Sequence, residues 1–482
     1  MTTLARPRTP ATSAVPGGLI QERPMRYPDA SSPQVMTRRG WWLVVLNFLI
    51  PGSAQAVAGN RRLGRIGLGA TLALWVLVLL AVVGMVLWRP LILSIATNPL
   101  ALLAIEVVVV LYGILWIVLA LDTIRLVRLV KVRPAPRVGI AMLSIALLVV
   151  AGGGAAYVAR LTDITRNTLG SIFSASGPPV APSDGYYNIL LLGADSGTGR
   201  DSMRFDSISV VSVNADTGRV IITGIPRDLE GFPFVKGSPM AKLYPDVHTG
   251  HASATCGWSG AINQLNTELD VCRDGAKIYP DAKAQGSTPG VEATKDAAEG
   301  LLGIDIPYYA FIDMAGFAAL VDALGGVDIT VTERLPEGGG PSYEGQPVND
   351  WAIGWIEPGA QHMNGDTAQW YARSRKTTSD WDRMKRQRQL QEAILKQFTP
   401  ANVLSRFQEV ASAGQHLVKT DIPSSMLGYL TDLAIKSKSE AITTIELTPA
   451  NQVDQTTPDI AYVHELIHSK LHPPTPTATP KG

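Results

Sequence analysis

The chain has 482 residues, 46% of them hydrophobic, and its 42 lysines and arginines almost balance 41 aspartates and glutamates. The length allows two or three domains; the net charge of +1 says little by itself, and no nucleic acid is expected among the partners. That balance averages a basic cytoplasmic face against a mixed domain elsewhere.

Residues 1–40 open with a stretch rich in Pro, Ser, Thr and Arg and read as a disordered cytoplasmic tail. Residues 41–159 follow as a transmembrane region. Within it, Ile66–Trp88, Ala101–Leu121 and Val138–Ala159 each hold about the 20 apolar residues needed to cross a bilayer. Glu106 is the only clear charge inside these runs. Trp41–Gly59 is also apolar, but Pro51-Gly52 breaks it and arginines flank both ends, so it reads as a re-entrant or interfacial helical hairpin. Arg38, Arg39, Arg61, Arg62 and Arg65 flank this segment, and Arg125, Arg128, Lys131, Arg133 and Arg137 lie before the last span. The loop after Trp88 carries only Arg89. The positive-inside rule then puts residues 1–40, 60–65 and 122–137 in the cytoplasm and everything after Ala159 outside. Residues 160–185 are a linker, with Gly, Pro and Ser concentrated at Ser174–Ser183. Residues 186–471 form an exported domain, and 472–482 a disordered tail.

In the exported domain, Asn188–Leu192 is a continuous apolar run, expected for a strand buried on both faces. The polar loop Gly193-Ala-Asp195-Ser-Gly-Thr-Gly199 follows. Asp206–Val213 and Arg219–Gly224 flank the turn Asn214–Gly218 and predict a hairpin, with Pro226-Arg227-Asp228 at a strand end. Gly290–Leu302 and Met314–Leu324 read as helices; Tyr308–Ile312 and Val327–Val331 read as strands. Strands mixed with helices imply a sheet covered on both faces, with ligand-bearing loops at strand ends. Cys256 and Cys272, 16 residues apart, are expected to form a disulfide outside the cytoplasm, worth about 3 kcal/mol by chain entropy. His248 and His251 lack the spacing to make a metal site with them.

The densest signal is Tyr371-Ala-Arg-Ser-Arg375 followed by Asp380-Trp-Asp-Arg-Met-Lys-Arg386-Gln387, which places Arg373, Arg375, Arg383 and Arg386 within fourteen residues. Trp381–Phe398 reads as a helix. On it, Leu390 and Ile394 lie seven and eleven residues after Arg383, so Arg383 and Gln387 share the apolar side. A guanidinium on an inward face needs an anion, and a cluster of planar, multi-donor arginines suits phosphate. Lys376, Lys385 and Arg388 are read as solvated charges, and Asp201 and Asp216 as turn residues. Asp195, Arg200, Arg204 and Asp206 form a second polar cluster and Arg227-Asp228 a third. Carboxylates with several arginines suit a divalent ion plus a pyrophosphate, because hard cations take oxygen ligands from one or two carboxylates and from phosphate.

Taken in order, Asn188-Ile-Leu-Leu-Leu-Gly-Ala-Asp195-Ser, Arg204-Phe-Asp206-Ser-Ile, Ile225-Pro-Arg227-Asp228, Leu324-Gly-Gly-Val-Asp328 and Gly365–Arg375 through Arg386-Gln387 resemble the LytR–CpsA–Psr family of cell-wall ligases. The resemblance covers roughly Tyr186 to Leu471. It implies an α/β/α sandwich, here preceded by a multi-span transmembrane region, that holds a polyprenyl chain in an apolar cleft. It also implies transfer of a glycopolymer phosphate from a polyprenyl-pyrophosphate carrier to peptidoglycan. By the same resemblance, Asp195 and Asp206 fall on metal-associated positions for Mg²⁺ or Mn²⁺. Arg204, Arg227, Arg373, Arg375, Arg383 and Gln387 fall on pyrophosphate-binding positions, and Asp380 matches the acidic residue before the final arginine. Asp382 stands where a glycine is common, and Lys242-Leu-Tyr matches the family's Lys-Ile-Asn segment only in part.

Phosphoryl transfer needs positioning and charge neutralisation more than covalent chemistry. Arginines would hold the pyrophosphate, and Asp206 or Asp228 would deprotonate the sugar hydroxyl. No Ser/His/Asp arrangement is visible, and His248, His251 and His362 read as surface or structural residues. Two other readings compete. One is a polyprenyl-pyrophosphate hydrolase using the same site with water as acceptor. The other is a non-enzymatic lipid-binding envelope sensor, for which residues 1–37 offer no recognisable output domain.

Overall fold

The computed structural model describes residues 25–173, 179–194, 204–253, 255–374, 377–397 and 418–473. Asp195, Arg200, Asp201, Arg375 and Lys376 therefore lie outside the described residues, as do most of the N-terminal tail and the end of the C-terminal one. The chain divides into two compact units, residues 1–81 with 106–160, and residues 82–105 with 161–482.

The first unit is helical. Helices α1 (Pro33–Leu49) and α2 (Ser53–Ala58) meet at Pro51-Gly52, so the apolar segment expected to bend there is two helices and a turn. Gly52 has φ +96°, and a Cβ there would lie 2.6 Å from the Leu68 backbone nitrogen, so the turn needs glycine both for its conformation and for its close approach. Gln55 is fully buried and donates to the Leu119 carbonyl at 2.8 Å, while Arg39 donates to the Leu126 carbonyl at 2.7 Å. Among the described residues, three helical segments are long and apolar enough to cross a membrane: Arg61–Leu87 (α3), Pro99–Lys131 and Pro134–Ile172. The second consists of α5 (Pro99–Val127) and a short 3₁₀ turn, and the third is α6. Because α6 runs to Ile172, the first part of the segment read as linker is helix.

In the second unit, helix α4 (Arg89–Thr97) packs on helix α11 (Leu427–Lys436). Gly428 lets the helices approach so closely that a Cβ would strike Ser94, and Arg89 lies 3.7 Å from Asp432. The stretch after Trp88, expected as a loop, is therefore helical from Arg89 to Thr97.

A six-stranded sheet organises the rest of this unit. Its strands are β1 (Tyr186–Ala194), β2 (Phe205–Asn214), β3 (Val220–Ile225), β4 (Tyr308–Asp313), β5 (Val418–Thr420) and β6 (Thr443–Glu446), in the order β5-β4-β1-β2-β3-β6. β1–β2, β2–β3 and β4–β5 are antiparallel; β1–β4 and β3–β6 are parallel. Alternation along β1 sends its residues to opposite faces. Leu190 and Leu192 join the main core with α7 (Pro289–Leu302) and α12 (Ile460–Leu471). Ile189 and Leu191 instead face a cavity walled by α8 (Met314–Leu324), α10 (Asp380–Gln397) and α11. The sheet is thus covered on both faces, as a mixed α/β reading requires. Cys256 and Cys272 are joined in a disulfide, with Cα atoms 5.7 Å apart.

Candidate active site

The antiparallel pairing of β2 with both neighbours decides where the polar residues meet. It brings the end of β1, the start of β2 and the end of β3 to one edge of the sheet, where Ala194 pairs with Phe205 and Ile208 with Ile225. Asp206 is the second residue of β2, and Pro226-Arg227-Asp228 follows β3 directly. β4 ends at the same edge, where Asp313 caps α8 through a 2.6 Å bond from the Gly316 N–H. Helix α9 (Gly365–Arg373) then carries Arg373 to this edge, and α10 begins there at Asp380.

These segments enclose a polar cavity of about 490 Å³, lined by Arg204, Asp206, Arg227, Asp228, Arg373, Arg383 and Gln387 among others. Among the described residues, four arginines against two aspartates give the lining a positive balance. Helix α10 contributes Arg383 and Gln387, from its first two turns, to the same cavity.

Arg227 is the hub. Its Nη1 donates to Asp206 Oδ1 at 2.6 Å, its Nε donates to Asp228 Oδ2 at 3.2 Å, and its Nη2 lies 3.8 Å from Asp380 Oδ1. Burial pushes its pKa down, but Asp228, Asp380 and Asp206 together hold it above its ordinary value. Asp380 also accepts from Arg383 Nη2 at 3.0 Å, so it ties the two arginines together. Asp228 is held by Asn263 Nδ2 at 3.2 Å. The Arg373 guanidinium lies over the Trp370 ring, 5.6 Å from its centroid.

Arg383 and Gln387 are buried, as their spacing with Leu390 predicts. Arg386 is buried too, but for another purpose. It donates to the carbonyls of Tyr371 and Ser374 and to Thr378 Oγ1, and so it fixes the segment between α9 and α10 instead of lining the cavity. Arg388 corrects the expectation of a solvated charge: it is 3% exposed, with Nη2 3.1 Å from Ser207 Oγ and Nε 3.8 Å from Glu446 Oε1. Lys385 is exposed as expected.

Asp382, at the position where the family more often has glycine, makes a capping box. Its Oδ2 accepts from the Ser379 N–H at 3.1 Å, and its own N–H donates to Ser379 Oγ at 3.1 Å. Lys242 is exposed on the short helix Pro239–Leu243 and is not part of the cavity wall. His248 is structural, buried between the Gly260 carbonyl and Glu268 at 2.9 Å from each. His362 is a surface residue bonded to Asp328 at 2.8 Å.

Sequence reasoning missed Trp351, Ser259, Asn263 and Gln264, which also line the cavity. Trp370 lies inside the arginine motif and could have been singled out from it. Trp351 carries no such signal.

A second cavity, of about 410 Å³, adjoins the first. Ile189, Leu191, Val211, Phe317, Leu390, Ile394 and Leu430 give it an almost wholly apolar wall, and Met314, Ala372 and Gln387 belong to both cavities. A polar, arginine-rich compartment therefore shares a wall with a greasy one.

The LytR_cpsA_psr family model matches residues 162–471, more than half of the chain. Among curated relatives, Biofilm regulatory protein A of Streptococcus mutans is 28% identical over 268 residues, covering 53% of this chain and 56% of that protein. The polyisoprenyl-teichoic acid–peptidoglycan teichoic acid transferase TagU of Bacillus anthracis is 28% identical over 286 residues, covering 57% of this chain and 76% of TagU. Among solved structures, B. subtilis TagV is 21% identical with a TM-score of 0.39, covering 59% of this chain and 95% of that one.

Proposed function

Since the chain belongs to the LytR–CpsA–Psr family, we propose that it is a membrane-anchored phosphotransferase that moves a glycopolymer phosphate from a polyprenyl-pyrophosphate carrier to peptidoglycan. The observation that carries this reading is the wall shared by the arginine-lined cavity and the apolar one. A lipid pyrophosphate has the same two-part character, a compact multivalent anion on a long hydrocarbon. Relatives named as teichoic acid transferases support the same choice of substrate class.

In this reading Arg204, Arg227, Arg373, Arg375 and Arg383 bind the pyrophosphate, with Gln387 at the junction of the two cavities. Charge-assisted, bidentate bonds from guanidinium groups hold phosphate oxygens in one geometry. The acceptor is a peptidoglycan sugar hydroxyl, whose oxygen attacks the phosphorus that bears the glycan. A new P–O bond forms, the bond to the bridging oxygen breaks, and polyprenyl phosphate leaves. The hydroxyl proton goes to a carboxylate. Asp228 is favoured for this role over Asp206, because its side chain is 47% exposed against 28% and Asn263 orients it. Asp206 then keeps Arg227 in place.

Asp206, together with Asp195, would hold a Mg²⁺ or Mn²⁺ ion. The donor chemistry fits, since Asp206 offers a hard carboxylate at the wall of a cavity made for anions. Such an ion, when bound, would neutralise charge on the leaving phosphate.

The proposed topology has three spans, cytoplasmic residues 1–40, 60–65 and 122–137, and an extracellular domain. The arginine asymmetry supports it. The packing of α4 on α11 agrees, because it keeps the segment between the first two spans on the same side as the domain. Incubating the full chain with carrier-linked glycan tests the activity: transfer of glycan to peptidoglycan is expected, and release of free polyprenyl phosphate without acceptor speaks against it.

A further inference from the structure

Elsewhere in the domain, the residues where it begins and ends meet in a second polar cluster. His468 lies in the last turn of α12 and His472 directly follows the helix. A four-residue spacing puts both imidazoles on one side of a helix, and their ring centroids are 4.8 Å apart. Asp184, in the turn that opens β1, lies with its Oδ2 2.7 Å from His472 Nε2. One ligand atom from each of the three residues lies within 4.8 Å of the others.

The frame beneath them is held firmly. Tyr186 Oη donates to the Leu471 carbonyl at 2.6 Å, Arg219 donates to the Lys470 carbonyl at 2.7 Å, and the Tyr186 ring meets His472 edge-on. Side chains from β1 and from the turn before β3 thus hold the last turn of α12, while Asp184 and His468 are exposed and His472 is half-buried.

We propose that Asp184, His468 and His472 form a binding site for a divalent ion of the zinc class. Two imidazole nitrogens and one carboxylate oxygen are the donors Zn²⁺ takes in three-residue sites, with water as the fourth ligand. Bonds of about 2.0–2.2 Å in a tetrahedron separate ligand atoms by roughly 3.3 Å. The cluster reaches that spacing by rotating these side chains, with the ion replacing the hydrogen bond between Asp184 and His472. The ion's charge lies at the carbonyl end of α12, where the helix dipole favours a cation. Mg²⁺, which prefers an all-oxygen octahedral shell, is a poor match. His464, one turn earlier, is engaged with the Gly300 carbonyl at 3.0 Å and stays outside the set. Bound zinc would clasp residue 184, at the end of the linker, to the C-terminal end of the domain, and so would stabilise the fold in proportion to its occupancy.

The test is calorimetric titration of the untagged full chain in detergent with Zn²⁺, and separately with Mg²⁺. The wild-type chain is expected to take up one Zn²⁺ with a micromolar Kd, and His468→Ala and His472→Ala are each expected to weaken binding at least tenfold. His251→Ala, which changes an exposed histidine in another part of the domain, should leave it unaltered. Zn²⁺ should raise the unfolding temperature of the wild type and not of His472→Ala, and that shift reports on the clasp even if a variant is less stable to begin with. Absence of saturable Zn²⁺ binding below about 1 mM would overturn the proposal, and so would equal affinity in the wild type, His468→Ala and His472→Ala.

Discussion

Arg227 donates to Asp206 at 2.6 Å, joining the residue just past β3 to the start of β2 across the edge of the sheet. The same guanidinium reaches Asp228 and Asp380, so three carboxylates orient one arginine toward the cavity. Arg227→Ala is expected to weaken polyprenyl-pyrophosphate binding by about 2–3 kcal/mol, the range for a lost charge-assisted contact. Arg373→Ala should behave alike. Arg227→Lys should not restore binding, because an ammonium cannot fork among three acceptors. Unchanged lipid affinity in both alanine variants would remove these arginines from the site.

Arg386 lies in the same sequence cluster but should give a different phenotype. Its removal leaves the carbonyls of Tyr371 and Ser374 without their donor inside the protein. Arg386→Ala should cost on the order of 2–4 kcal/mol of stability, read as a lower unfolding temperature. A variant of native stability that has lost only lipid binding would contradict this division of labour.

The apolar cavity makes a prediction about chain length. Ala310, on β4, contributes to its wall. Ala310→Trp should occupy part of the roughly 410 Å³ and weaken binding of a long polyprenyl pyrophosphate more than that of a short-chain analogue. Equal loss for both lengths would mean that the hydrocarbon does not enter this cavity.

A pH dependence follows from α7. Burial pushes the Glu299 carboxyl up to about 7 and the Asp296 carboxyl up to about 6, both against ordinary values near 4. The folded state therefore holds these protons more tightly than the unfolded chain does. Their contribution to stability is fully present below about pH 4 and is lost as pH rises through 6 and 7. Glu299→Gln keeps an acceptor for the Ile306 N–H and removes the charge, so it should flatten the fall in unfolding temperature over that window. A fall as steep as that of the wild type would show that Glu299 is not its source.

Topology can be checked with fused reporters. A reporter after Ile172 should be active outside the cell and one at Pro134 inside, given the arginine-rich segment 125–137. Cytoplasmic activity after Ile172 would mean that the α1–α2 segment itself crosses the membrane, and an extracellular ligase would then be untenable.

Much of this arrangement was legible in the sequence, where signals are local. The spacing of Arg383, Gln387 and Leu390 told which side of α10 is buried, and apolar runs located β1 and the three long helices. Residues whose roles depend on distant partners were not legible. Arg388 looked solvated because its partners, Ser207 and Glu446, lie far away in sequence. Asn263 and Trp351 reach the cavity from segments with no motif of their own. The α4 segment is too short and too apolar to announce a helix that docks on α11, and only their packing reveals it.

The central claim is that this site transfers a glycan phosphate to an acceptor and does not merely cleave or sense the carrier. Purified full-length chain, given polyprenyl-pyrophosphate-linked glycan and Mg²⁺, should release polyprenyl phosphate only when peptidoglycan is present, with an equal amount of glycan becoming covalently attached, and Arg227→Ala should abolish both. Release of polyprenyl phosphate at the same rate without peptidoglycan would make the protein a hydrolase, and binding of the carrier with no turnover under either condition would make it a sensor.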